Sequence, residues 1–186
     1  MSAGALLFDG ASQRNALVWL SQTYPEHSLS PLLFGTPYEA LADVGPILLE
    51  ADHGSRLHND WLHGSVALAN AVWLKAEVGP NQLYDCLRRR LRVRSPDGHE
   101  YWLRLADARP LVNAWLAGAH WPEGFWYGIR EIWSHYQGRA CRLWDNPCPM
   151  RDCADLVDDM AAPITLGWPL LEALACSNEA VAREVV

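Results

Sequence analysis

The sequence predicts an α/β (α+β) chain: a mixed, largely antiparallel sheet flanked by helices, with a smaller, aromatic-rich and mainly helical lobe at its C-terminal end. Three observations carry this expectation. Short apolar runs of strand length alternate with helical stretches through roughly the first 118 residues, the pattern of a sheet covered by helices. Within the stretch from Asn81 to Val112, a helix, a strand, a tight turn, a second strand and a new helix start follow one another, and so short a turn makes the two strands antiparallel. Beyond Gly118 the character changes, with Trp121, Trp126, Trp133 and Trp144 arriving in one short span beside Tyr127 and Tyr136. The chain is therefore divided into an α/β lobe over residues 1–118 and an aromatic-rich hairpin and helical lobe over residues 119–186, packed on the first as one domain.

Taken in order, Ala5 to Phe8 reads as a first strand stopped by Asp9-Gly10, and Ser12 is placed to cap a helix running to Tyr24, with Leu17, Leu20 and Tyr24 inward. Pro25 to Pro31 reads as a loop. Ile47–Leu49 and Ala71–Leu74 are apolar runs expected as buried strands, with a helix and connector between Ser55 and Asn70. Leu83, Cys86, Leu87 and Leu91 fall on one helical face, with Arg88, Arg89 and Arg92 off it. Ser95-Pro96-Asp97-Gly98 suits a type I turn. Tyr101, Leu103 and Leu105 then alternate with Trp102 and Arg104 as a strand should, ending at Asp107-Ala108-Arg109-Pro110, where Pro110 opens a helix and keeps Arg109 out of helical geometry. Ile129–Tyr136 and Arg139–Trp144 read as a hairpin across Gln137-Gly138. A helix is expected from Arg151, with Leu156, Val157 and Met160 on one side, and a last one from Pro169 with Leu170, Leu171 and Leu174, interrupted by Ser177-Asn178.

Composition narrows the classes. At 186 residues, half of them hydrophobic, the chain can bury one good core. The 22 acidic and 15 basic side chains leave a formal charge of −7, which disfavours general nucleic-acid binding. The first apolar run has no basic residue before it and is broken by Asp9, so neither a signal peptide nor a membrane span is expected there. The five cysteines, an odd number, then read as free thiols of a cytoplasmic protein.

Several pieces recur in an order that resembles a known family. Leu7-Phe8-Asp9-Gly10-Ala11 ends the opening strand, Leu33-Phe34-Gly35-Thr36 and Gly45-Pro46-Ile47-Leu48-Leu49 follow, and then come a Leu87-Arg88-Arg89 helix and a strand ending in Asp107-Ala108-Arg109. From about Leu6 to Tyr136 the chain resembles the type VI secretion effector adaptors, also called effector chaperones, a family once described as a domain of unknown function. Ala108 stands where that family's proline lies, and Cys86 where a histidine is common. The resemblance implies a non-enzymatic adaptor, without a cofactor, that binds a toxic effector encoded nearby and promotes its loading onto the VgrG spike.

Read for chemistry alone, the residues offer less. There is no Gly-x-Ser-x-Gly elbow and no phosphate-binding loop, and Lys75 is the only lysine. His53, His58 and His63, with Asp52 and Asp60, or Cys141, Cys148 and Cys153 with His135, are the groups a metal-dependent enzyme would use. His58 and His63 are five apart, a poor fit to one helical face, and no Cys-x-x-Cys knuckle occurs. Asp107 and Arg109 are expected to brace the strand-to-helix corner. The arginines at 88, 89, 90, 92 and 94 serve either as a solvated face or as a hold for an acidic partner. Ten tryptophans exceed what a small lobe hides. Trp19, Trp73 and Trp102 fall in core elements, whereas Trp115, Trp121, Trp126, Trp133 and Trp144 are the candidates for a partner surface. With Arg88, Arg89 and Arg92 they form the expected binding set, and a general peptide-binding module is the third reading.

Overall fold

A computed structural model describes residues 3–154 and 160–176. Its centre is a six-stranded sheet of order β2-β3-β1-β4-β7-β8, antiparallel at every pairing. The strands are β1 (Ala3–Asp9), β2 (Leu29–Pro31), β3 (Pro46–Asp52), β4 (Val72–Ala76), β7 (Ile129–Tyr136) and β8 (Arg139–Asp145). β5 (Arg92–Arg94) and β6 (Glu100–Trp102) form a separate two-stranded ribbon, closed by the expected Ser95–Gly98 turn with a 2.9 Å bond from Gly98 N–H to the Ser95 carbonyl.

Alternation along the strands divides the core. Leu6, Phe8, Ile47, Leu49 and Trp73 face α1 (Ala16–Thr23) and α2 (Arg56–Leu62). Ala5, Leu7, Leu48, Val72, Leu74 and Ile132 face α3 (Pro80–Arg88), α4 (Ala108–Leu116) and α5 (Trp168–Ala175), together with the β5–β6 ribbon. Because helices cover both faces, β1 and β3 read as unbroken apolar runs rather than as the alternation of a half-wet sheet. β7 pairs with β4, so residues beyond 118 extend the same sheet.

Where local rules and the structure part, a distant contact decides. Ser12 does not start α1. It lies in a short 3-10 turn capped by Asp9, its hydroxyl donating to the Asp9 carbonyl at 2.6 Å. α1 begins at Ala16, and the Leu17 N–H is satisfied by Asp43 Oδ1 at 2.9 Å, from 26 residues away. Gly10 permits this packing, since a Cβ there would lie 2.3 Å from the Asp43 carbonyl oxygen. Leu29–Pro31, expected as loop, pairs with β3 as an edge strand, where proline's missing N–H costs no ladder bond.

The strand expected to reach Leu105 stops at Trp102, and α4 starts at Ala108. Pro110 therefore sits inside the first turn, where its absent N–H is tolerated, and Arg109 is helical rather than excluded. Arg151–Ala154 is irregular, and the remainder of the helix expected there, like Ser177-Asn178, falls largely outside the described residues.

Candidate functional site: an apolar strip around Trp102

The β5–β6 ribbon has one buried side chain at its centre, Val93, and it hangs on the 160s segment. Arg94 N–H donates to Ile164 O at 2.9 Å, and Leu166 N–H donates back to Arg94 O at 2.8 Å. With only one strand to pair with, β6 cannot bury its aromatic residues. Trp102 is 49% exposed and Tyr101 43% exposed. The core position expected for Trp102 is therefore wrong. Tyr38 meets the indole edge-on at 4.9 Å, and the Arg92 guanidinium lies 5.7 Å from its ring centre. Arg92 is itself held by the Met160 carbonyl at 2.8 Å and by Glu100.

Two hollows flank Trp102 and share Leu103 and Arg104. One, of about 270 Å³, is lined by Leu33, Leu41, Val44 and Pro46 on one side and Leu91 and Leu105 on the other. The second, of about 370 Å³, is closed by Pro110 and by Trp168, Leu171 and Leu174 of α5. Trp168 is 42% exposed, and Leu41 and Val44 are half exposed. These side chains make a continuous apolar strip on the outside of the domain, the kind of surface that marks a partner site.

Beneath the strip lies a charged brace. Asp107, 2% exposed, caps α4 by accepting the Arg109 N–H at 3.1 Å, and it takes the Arg109 guanidinium through Nε at 2.9 Å and Nη2 at 2.8 Å. Arg104 bridges Asp107 at 3.1 Å to Asp9 at 2.7 Å. Burial by itself would raise the Asp107 carboxyl. The hydrogen bonds from Arg109 and the charges of Arg104 and Arg109 outweigh it and hold the group below its ordinary value. The brace thus joins the end of β1 to the start of α4 and fixes the floor from which Leu103 and Leu105 project.

The other expected partner residues are scattered. Trp121, Trp126 and Trp144 line a hollow of about 320 Å³, Trp121 lying 4.8 Å from Trp126, 5.5 Å from Trp144 and 4.5 Å from the buried Phe125, and Trp126 is buried. Trp115 packs edge-on against Tyr136, and Trp133 donates to Glu131 on the far face of the sheet. The arginines work internally. Arg88 reaches Phe34 O at 3.1 Å and the Tyr84 hydroxyl at 3.0 Å, and Arg89 reaches Asp152 at 3.3 Å. Arg90 is fully buried, which overturns the solvated face expected for it. Sequence reasoning missed Trp168, which opens α5 one residue before Pro169.

His53 and His58 lie with ring centres 4.1 Å apart, while His63 is exposed and its Nδ1 contacts the Asn59 carbonyl at 2.7 Å. Among the described residues, no three His, Cys, Asp or Glu side chains gather as metal ligands would. Cys141, Cys148 and Cys153 are all free. Among the same residues no helix is long and apolar enough to cross a membrane.

Fold and surface are thus those of an antiparallel sheet domain, helix-covered on both faces, with an exposed apolar strip at one flank. The chain belongs to the family described as a domain of unknown function (DUF4123), whose family model matches residues 6–120. No match was found among curated proteins or among solved structures.

Proposed function

We propose that this protein is a non-enzymatic adaptor that binds a type VI secretion effector in the producing cell and promotes its loading onto the VgrG spike. Family membership and the ordered motifs from Leu7 to Arg109 support the class. The observation that carries the mechanism is the strip around Trp102 and Trp168. Half-exposed indoles beside open apolar hollows are typical anchors for a partner chain. In this reading the strip covers an apolar segment of the effector that would otherwise aggregate, then releases it at the spike. Handover requires a finite off-rate, so moderate affinity suits the task.

Co-expression with the effector encoded beside this protein should yield a soluble complex, and loss of the protein should abolish the effector's secretion. Unchanged effector solubility and secretion in its absence would end this reading. Trp102→Ala should weaken the complex roughly 30-fold, the size of an interface hot spot. Because the indole is already half in water, the same change should alter unfolding stability by about 1 kcal/mol or less. Titration calorimetry and denaturant unfolding of the variant separate the two effects.

A further inference from the structure

On the opposite face of the sheet, where α2 meets β4 and β7, lies a cavity of about 240 Å³ lined by His58, Trp61, Trp73, Lys75, Glu131 and Trp133. Register builds it: Trp73 pairs across with Trp133, and two residues on, Lys75 pairs with Glu131. Residue 4 must be small, since a Cβ on Gly4 would lie 2.3 Å from Trp73 Cζ2. Trp61 stacks on Trp73 with ring centres 5.7 Å apart, and the His58 ring lies 4.5 Å from that of Trp73. The space exceeds the roughly 150 Å³ that holds a benzene-sized guest.

Its polar groups are unbalanced. Glu131 is already satisfied, accepting from Lys75 Nζ at 3.1 Å through Oε1 and from Trp133 Nε1 at 2.8 Å through Oε2, with Arg142 at 3.8 Å. His58 Nδ1 accepts the Gly54 N–H at 3.1 Å, which leaves the proton of the neutral ring on Nε2. Burial and the neighbouring His53 lower the His58 pKa, which favours that neutral ring. His58 and Trp73 line the cavity, and among the described residues neither His58 Nε2–H nor Trp73 Nε1–H is bonded to a protein acceptor, both atoms staying accessible instead of sealed. Lys75 has N–H donors beyond the one on Glu131. Lys75 and Arg142 against Glu131 leave one net positive charge, so the cavity offers flat apolar walls and spare donors.

We infer that this cavity is a binding site for a carboxylate carried on an aromatic ring, the ring lying against Trp61, Trp73 and Trp133 and the carboxylate accepting from Lys75 and the His58 and Trp73 N–H groups. That chemistry has two sources, a free small-molecule acid or the carboxy-terminal aromatic residue of a polypeptide.

Titration of the purified full chain with phenylacetate, phenylacetamide and acetate tests it. Phenylacetate should bind saturably at about 10 mM or below, with acetate and phenylacetamide at least roughly tenfold weaker. Lys75→Met should lower phenylacetate affinity roughly tenfold and leave phenylacetamide unchanged. Because Lys75 is the only lysine, reductive ¹³C-methylation gives one side-chain ammonium signal that keeps its charge, and phenylacetate should move it in the otherwise unaltered protein even if the variant fails to fold. A peptide ending in phenylalanine, tested with a free and with an amidated end, separates the sources. Tighter binding of the free-ended peptide than of phenylacetate assigns the site to a chain end, and weaker binding assigns it to a small acid. Absence of saturable phenylacetate binding, equal binding of phenylacetamide, or an unmoved Lys75 signal would overturn the inference.

Discussion

Arg90→Met is expected to destabilise the fold by about 3–5 kcal/mol, the cost of breaking a buried ion pair from one side. Arg90 is fully buried, with Nη1 donating to Cys86 O at 2.9 Å and Nη2 to Gly124 O at 3.2 Å and to Asp152 at 2.5 Å, while Nε donates to Phe125 O. Methionine fills much of the volume but leaves three carbonyls without that donor. Asp152 would retain Arg89 at 3.3 Å and the Ala154 N–H at 2.9 Å, which moderates the loss without restoring it. At roughly 2–4 °C per kcal/mol for a chain of this size, the melting temperature should fall by roughly 10 °C. Arg89→Met, losing one contact at the rim, should cost about 1 kcal/mol. Comparable melting temperatures for the two variants would show that Arg90 is not the staple described.

Asp107→Ala comes next, at about 2–4 kcal/mol. It removes a helix cap, worth about 1 kcal/mol, and charge-assisted bonds to Arg109 worth about 1.5–3 kcal/mol. Asp107→Asn keeps a capping oxygen and should recover about half the loss in denaturant unfolding.

Acidity supplies a second readout. The Asp107 carboxyl lies below its ordinary value in the folded chain, so its contribution is complete above about pH 4 and disappears as pH falls through the lower folded value. Below about pH 4 the wild-type protein should lose stability more steeply than Asp107→Asn, whose amide does not titrate. Parallel slopes for the two proteins would remove Asp107 from the brace.

Local chemistry made much of this fold legible. The Pro96-Asp97-Gly98 turn, the hairpin across Gln137-Gly138, the Ser55 cap of α2 and the start of α5 near Pro169 each depend on residues close in sequence. Arg90 was illegible because its partners Gly124, Phe125 and Asp152 lie 34, 35 and 62 residues away, and a run of arginines otherwise reads as a wet surface. Trp102 misled for the opposite reason. Its strand period was right, but period cannot show that β6 joins a two-stranded ribbon and not the main sheet. Asp107 and Arg109 were readable because cap and partner stand two positions apart. Of the five tryptophans expected to act together, only Trp121, Trp126 and Trp144 share a neighbourhood, since indole count carries no information about sheet order.

The order of the sheet has one more consequence. The family match stops at residue 120, yet the outer rim of β4 is occupied by β7, which begins at Ile129. A fragment cut at the match boundary would leave the backbone of Val72–Ala76 with half its ladder missing and Trp73 and Leu74 stripped of their neighbours. Bare, apolar strand rims recruit other chains. The stretch most easily recognised by comparison is thus shorter than the stretch that must be synthesised before β4 is covered, and a ribosome has to deliver β7 before that rim is hidden from other chains.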